Sequence, residues 1–94
     1  MIRLNDKKDA KLGDSFYDIK KNEWHYFDGL NWVLPLVFIY KNYKGSISER
    51  SVLPSSSFYG ITAYHTRPQW FLHAWDIEKK AYRDFAMQDI QRFM

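Results

Sequence analysis

The side chains with most chemistry to offer lie after the middle of the chain. Arg50, Arg67 and Arg83 sit on separate segments, while Phe71, His73 and Trp75 alternate along QWFLHAWD. A guanidinium is a planar fork of donors matched to phosphate or carboxylate oxygens. An aromatic face stacks on a nucleobase for about 1 to 3 kcal/mol per base. Three arginines and one aromatic strand face would suit an anionic, aromatic ligand if the fold brings them together. His65 joins the set because it neighbours Arg67 in the loop Tyr64-His65-Thr66-Arg67-Pro68-Gln69.

Each candidate has a structural alternative. Phe71 and Trp75 could be buried against other aromatic residues, the commoner use of such side chains in a small domain. Arg50 and Arg83 could pair with Glu49 and Asp84 on a solvated face. His65 and His73 could be a hydrogen-bonded loop residue and a satisfied strand residue.

Catalytic arrangements are thin. His25, His65 and His73 stand on separate segments without HExxH or close carboxylate spacing, so no metal site is expected. Ser55-Ser56-Ser57 lacks a nucleophile elbow and reads as loop, and the four glycines are isolated, so no phosphate-cradling loop is present. Asp76 and Asp84 lie near turns, where carboxylates are solvated. The absence of cysteine removes disulfides, thiolate metal sites and a cysteine nucleophile together, and fits a reducing cytoplasm. No enzymatic activity and no cofactor are expected.

The elements that must position these groups read as short strands. With 46% apolar and 19% aromatic residues in 94, the chain suits one small globular core. No apolar run approaches the ~20 residues of a membrane helix. Residues 1–12, with Ile2 and Leu4 as anchors, read as a flexible arm or edge strand. Residues 13–35 read as an aromatic meander with strands at Phe16 to Asp18, Glu23 to Phe27 and Asn31 to Leu34, and a two-residue primed turn at Asp28-Gly29. From 36 to 94 the expected strands are LVFIYKNY, ISERSVL ending at Pro54, a further one near Phe58 to Ala63, QWFLHAWDI, and AYRDFAM after the turn Glu78-Lys79-Lys80. MQDIQRFM would make one helical turn with Ile90 and Phe93 facing inward. On QWFLHAWD, Trp70, Leu72 and Ala74 form the expected interior, leaving Phe71, His73 and Trp75 partly exposed as a platform unless a meander packed on the barrel buries both faces. About seven short strands point to a small all-β barrel or sandwich, and a barrel is favoured because closure removes exposed edges.

Charge follows the same division. Up to Pro35 bases and acids balance, so the net charge of +3 arises entirely in 36–94, where eight bases meet five acids. Such a surplus is weak evidence for nucleic acid.

The order of short motifs in Val37 to Ile90 resembles the WYL domain. Tyr40, Tyr43, Gly45, Ser48, Arg50, Val52 and Pro54 follow its Y..Y.G..S.R.V.P strand pair; Trp70-Phe71-Leu72 stands where the name-giving triplet would, with Phe for Tyr; Arg83, Phe85 and Asp89-Ile90 close the pattern. The resemblance implies an SH3-like or Sm-like barrel with the meander packed on it. It further implies binding of a nucleotide or short oligonucleotide, and basic ligand contacts at Arg50 and Arg83. Edge-to-edge assembly makes a homo-oligomer an expectation, and no DNA-reading domain precedes the barrel. GDSFYDIKKNEWHYFDGLNWV is similar to hairpins of bacteriophage tail and accessory proteins, which implies a phage or mobile-element protein in a bacterial cytoplasm. On that view the protein sequesters a host nucleotide signal or assists a regulator. Two alternatives stand beside it: a protein-interaction or virion accessory module docking through the aromatic hairpin, and single-stranded nucleic-acid binding along the barrel face.

Overall fold

The structure is a computed structural model that describes residues 9–94. The arm expected over 1–12 therefore lies mostly outside the described residues. The fold is all-β, with two antiparallel sheets in two units divided between Pro35 and Leu36.

The first unit is a three-stranded meander of β1 (Ser15–Asp18), β2 (Glu23–Phe27) and β3 (Trp32–Val33) in that order. Cross-strand aromatic pairs hold it. Phe16 stacks on His25 at 5.1 Å between ring centres and meets Trp32 edge-on at 4.9 Å, while Tyr17 and Trp24 pair on the opposite face at 5.4 Å. The β2–β3 turn sits one residue later than Asp28-Gly29. Its centre is Gly29-Leu30, because the Asp28 N–H donates to the Asn31 carbonyl at 3.0 Å and only Gly29 takes a positive φ, +103°. The Asp28 side chain explains the shift: it caps the turn by accepting from the N–H groups of Asn31 (2.7 Å) and Leu30 (2.8 Å). Those donors hold its carboxyl below the ordinary 3.8.

The second unit is one five-stranded sheet, ordered β7-β6-β5-β4-β8. Its strands are β4 (Leu36–Lys41), β5 (Ile47–Gly60), β6 (Gln69–Asp76), β7 (Ala81–Ala86) and β8 (Ile90–Phe93), with a 3₁₀ turn at Met87–Asp89. The hydrogen-bonded ladder is open: among the described residues no pairing joins β7 to β8. The sheet is nonetheless strongly curled. β4 and β7 are three strand positions apart, about 14 Å across a flat sheet. Yet the ring centres of Tyr40 and Phe85 lie 5.0 Å apart, those of Phe38 and Phe85 5.2 Å apart, and the Ala86 N–H donates to the Tyr40 hydroxyl at 2.9 Å. Val52 and Ala74 on the intervening strands are small enough for the outer-strand rings to close over them, and together these five residues form the buried cluster of the concave face.

Pro54 does not end the pairing. β5 runs on through it to Gly60, and the missing proline N–H is accommodated by a one-residue register shift between Pro54 and Ser56. That shift exchanges the faces of everything after it. Without it Phe58 would share the concave face with Val52; with it Phe58 reaches the convex face, where it stacks on Phe71 at 5.1 Å. Phe71 is in consequence fully buried, and Trp70, expected inside, is mostly exposed. The C-terminal segment is also different from the expected helical turn. Only Met87–Asp89 is helical; residues 90–93 instead pair with the free edge of β4, leaving Ile90 against the core and Phe93 60% exposed.

Candidate functional site

A cleft of about 330 Å³ opens where the β4–β5 turn, the 61–68 loop, the β6–β7 turn and strand β7 meet. It is lined by Lys44, Arg50, Lys79 and Arg83, by His65, and by Tyr40, Tyr43, Tyr64 and Phe85. Four permanent cations in one small concavity raise the local concentration of anions.

Arg50 enters from the concave face of β5, opposite Phe38, and its Nη1 lies 3.3 Å from Asp76 Oδ2. Asp76 is 1% exposed, not solvated as its place beside a turn suggested. Its other oxygen accepts from the N–H groups of Glu78 and Lys79, both at 3.1 Å, so one carboxylate organises the β6–β7 turn and anchors Arg50. The arginine's sequence neighbour Glu49 faces the other way, which is why it is not the partner. Arg83, on β7 opposite Ala74, is exposed; among the described residues it, Lys44 and Lys79 form no salt bridge.

Tyr43 and Tyr64 come from different loops and meet at 4.7 Å between ring centres with 30° between their planes, although they are 54% and 66% exposed. Exposed aromatic rings are available to stack on a ligand. Lys44 Nζ lies 5.7 Å from the Tyr43 ring centre. The turn that displays them is fixed by the Asn42 side chain, which accepts from the N–H groups of Lys44 and Ser46, both at 2.9 Å, and by Gly45 at φ +89°. At the floor Tyr40 is buried. Desolvation pushes its hydroxyl above the ordinary 10.0, against the lowering effect of the Ala86 N–H.

His65 is held on the cleft wall by donation from its Nε2 to Asp89 Oδ2 (3.2 Å) and from its main-chain N–H to Thr62 Oγ1 (3.1 Å). The structure thus brings Arg50, His65 and Arg83 together and leaves the other sequence candidates elsewhere. Arg67 does not line the cleft; its carbonyl accepts from Gln69 Nε2 at 3.2 Å. Phe71 is core, with the His65 ring edge-on at 5.6 Å. His73 and Trp75 belong to the convex face, where His73 Nδ1 meets Asp84 Oδ1 at 2.7 Å and its ring stacks on Tyr82, which Trp75 meets edge-on. Asp76 and Asp84 do not face each other, since Asp76 pairs with Ala81 and Asp84 with His73. The exposed aromatic rings beside the arginines are those of Tyr43 and Tyr64, not those of β6. The turn Asn42-Tyr43-Lys44-Gly45 marks Tyr43 and Lys44 as displayed outside the core, but nothing local in the sequence brings Tyr64 beside them.

Among the described residues no three histidine or carboxylate side chains come together as a metal site, and no helix is long and apolar enough to cross a membrane. No protein-family model, curated protein or solved structure matches the chain.

Proposed function

We propose that residues 36–94 form a WYL-like module of the SH3 or Sm type that binds a nucleotide, or one nucleotide of a short oligonucleotide, in this cleft without chemical transformation. The fold part of the reading rests on the curl of the sheet and on β8 returning beside β4, the first strand of the unit. The ligand part rests on one observation: Lys44, Arg50, Lys79 and Arg83 share a cleft with the exposed Tyr43–Tyr64 pair. Cations answer phosphate and tyrosine rings answer a base. The volume is at the small end of ligand sites, about 300 to 1,000 Å³, and suits a single nucleotide. Arg50, anchored by Asp76, is the fixed contact, and the unpaired Arg83, Lys44 and Lys79 carry the surplus charge.

Calorimetric titration with cyclic and linear nucleotides tests this. Saturable heat with at least one of them is expected, weakened about 10-fold or more in Arg83→Ala and in Tyr64→Ala. A heatless panel, or variants that bind as well as the native protein, would remove the reading.

A second reading is favoured by the meander, none of whose described residues is buried and whose Trp24 is half exposed. Under it the aromatic sheet docks on a protein partner. A Trp24→Ala variant that loses a partner retained by Arg83→Ala would separate the two.

A further inference from the structure

The hydrogen-bonding phase of β7 can be read from one contact. The Ala86 N–H donates to the Tyr40 hydroxyl and therefore does not point at β6. Along a strand the N–H and C=O of one residue point the same way and alternate sides at each step. The N–H and C=O groups of Tyr82 and Asp84 consequently point away from β6 as well, while those of Arg83 and Phe85 are committed to the ladder. The pairing agrees: a non-hydrogen-bonded pair brings side chains closest, and the His73–Asp84 pair has its side chains 2.7 Å apart. The Asp84 side chain is thus tied up on the convex face, so Asp84 borders the cleft through its main chain.

β7 is the last strand of its sheet. It contains no lysine and no proline, and its register with β6 is unbroken, so neither a proline nor a bulge blocks its outer edge, and its charges are Arg83 and Asp84. Residues 81–84 are exposed. Self-pairing is opposed by charge. A two-fold axis must set same-face residues opposite one another, so the two registers of greatest overlap place Arg83 against Arg83 or Asp84 against Asp84. On the concave side the charges beside the edge are cationic, Arg83 on the strand, Lys79 in the turn before it, and Lys44 and Arg50 in the same cleft, while the Asp84 carboxylate is held by His73 on the convex face.

We infer that the free edge of β7 accepts an extended acidic segment of a partner protein as a sixth strand. The main-chain groups of Tyr82 and Asp84 would pair with that segment, and its carboxylates would face Arg83, Lys79 and Lys44. The segment shares these cations with the nucleotide of the proposed function and would compete with it for them, but its main-chain pairing to β7 does not depend on nucleotide binding.

The test uses a short synthetic peptide of alternating glutamate and valine, followed by fluorescence anisotropy and amide hydrogen exchange on the whole protein. Saturable binding is expected, with new protection at the Tyr82 and Asp84 amides and little change at Arg83, whose amide is already in the ladder. Arg83→Glu should weaken binding about 10-fold or more. N-methylating alternate peptide amides on the pairing side should abolish it. Binding that survives N-methylation, or leaves Tyr82 and Asp84 unprotected, would overturn the proposal. So would protection of those amides that rises with protein concentration alone, which would assign the edge to a second copy.

Discussion

Asp76 and Arg50 meet at 3.3 Å across neighbouring strands, with the carboxylate shut away from solvent and the guanidinium on the cleft wall. The pair joins the stability of the second unit to the layout of its site. Asp76→Ala leaves Arg50 without a counter-charge and two turn N–H groups without an acceptor, a loss of roughly 3 to 5 kcal/mol. That is a large share of the total for a small domain. Asp76→Asn keeps an acceptor for the Glu78 and Lys79 amides and should lose less. Urea unfolding midpoints give the order, native above Asn above Ala.

Tyr40 makes alkaline stability a probe of the core. Burial favours its neutral form, so its pKa in the folded protein is raised above 10.0. The stabilisation is fully present below pH 10; above it the unfolded chain ionises first and stability falls as pH rises through the folded value. Tyr40→Phe orphans the Ala86 N–H, at a cost of about 1 to 3 kcal/mol, and flattens that alkaline decline. Thermal melts of both proteins between neutral pH and pH 11 measure the two effects.

Core and rim aromatics should behave oppositely. Phe71→Ala empties a fully buried position beside Phe58 and should lose about 3 to 5 kcal/mol. Tyr64→Ala should change stability by less than about 0.5 kcal/mol, because the ring is mostly exposed. His73→Ala breaks a half-exposed pair with Asp84 and should cost less than about 1 kcal/mol. Denaturation curves of the three variants rank them.

Much of the strand pattern was legible because alternation and turn chemistry are local. β2, β6 and β7 stand where the apolar rhythm and the Lys-Lys and Asp-Gly signals put them. The face assignment of β6 failed for a non-local reason: the register shift at Pro54 turns Phe58 over onto Phe71, and a proline within a strand ordinarily signals the end of pairing. Arg50, His65 and Arg83 were identifiable by residue type. Their companions Tyr43, Lys44, Tyr64 and Lys79 were not, because they sit on three separate connections that meet only when the sheet curls. Asp76 was missed as a partner because a carboxylate beside a turn is ordinarily wet, and its burial follows from where Arg50 enters across the strand.

The convergence of those connections on one ligand is the central claim, and amide chemical shifts report its location directly. In ¹H–¹⁵N spectra recorded during titration with the nucleotide that gives heat, the moving signals should be those of Asn42 to Lys44, Tyr64, His65, Lys79 and Arg83, with Phe71 and Trp75 little changed. Shifts centred on the convex face of β6 or on residues 15–33, with the cleft silent, would contradict it.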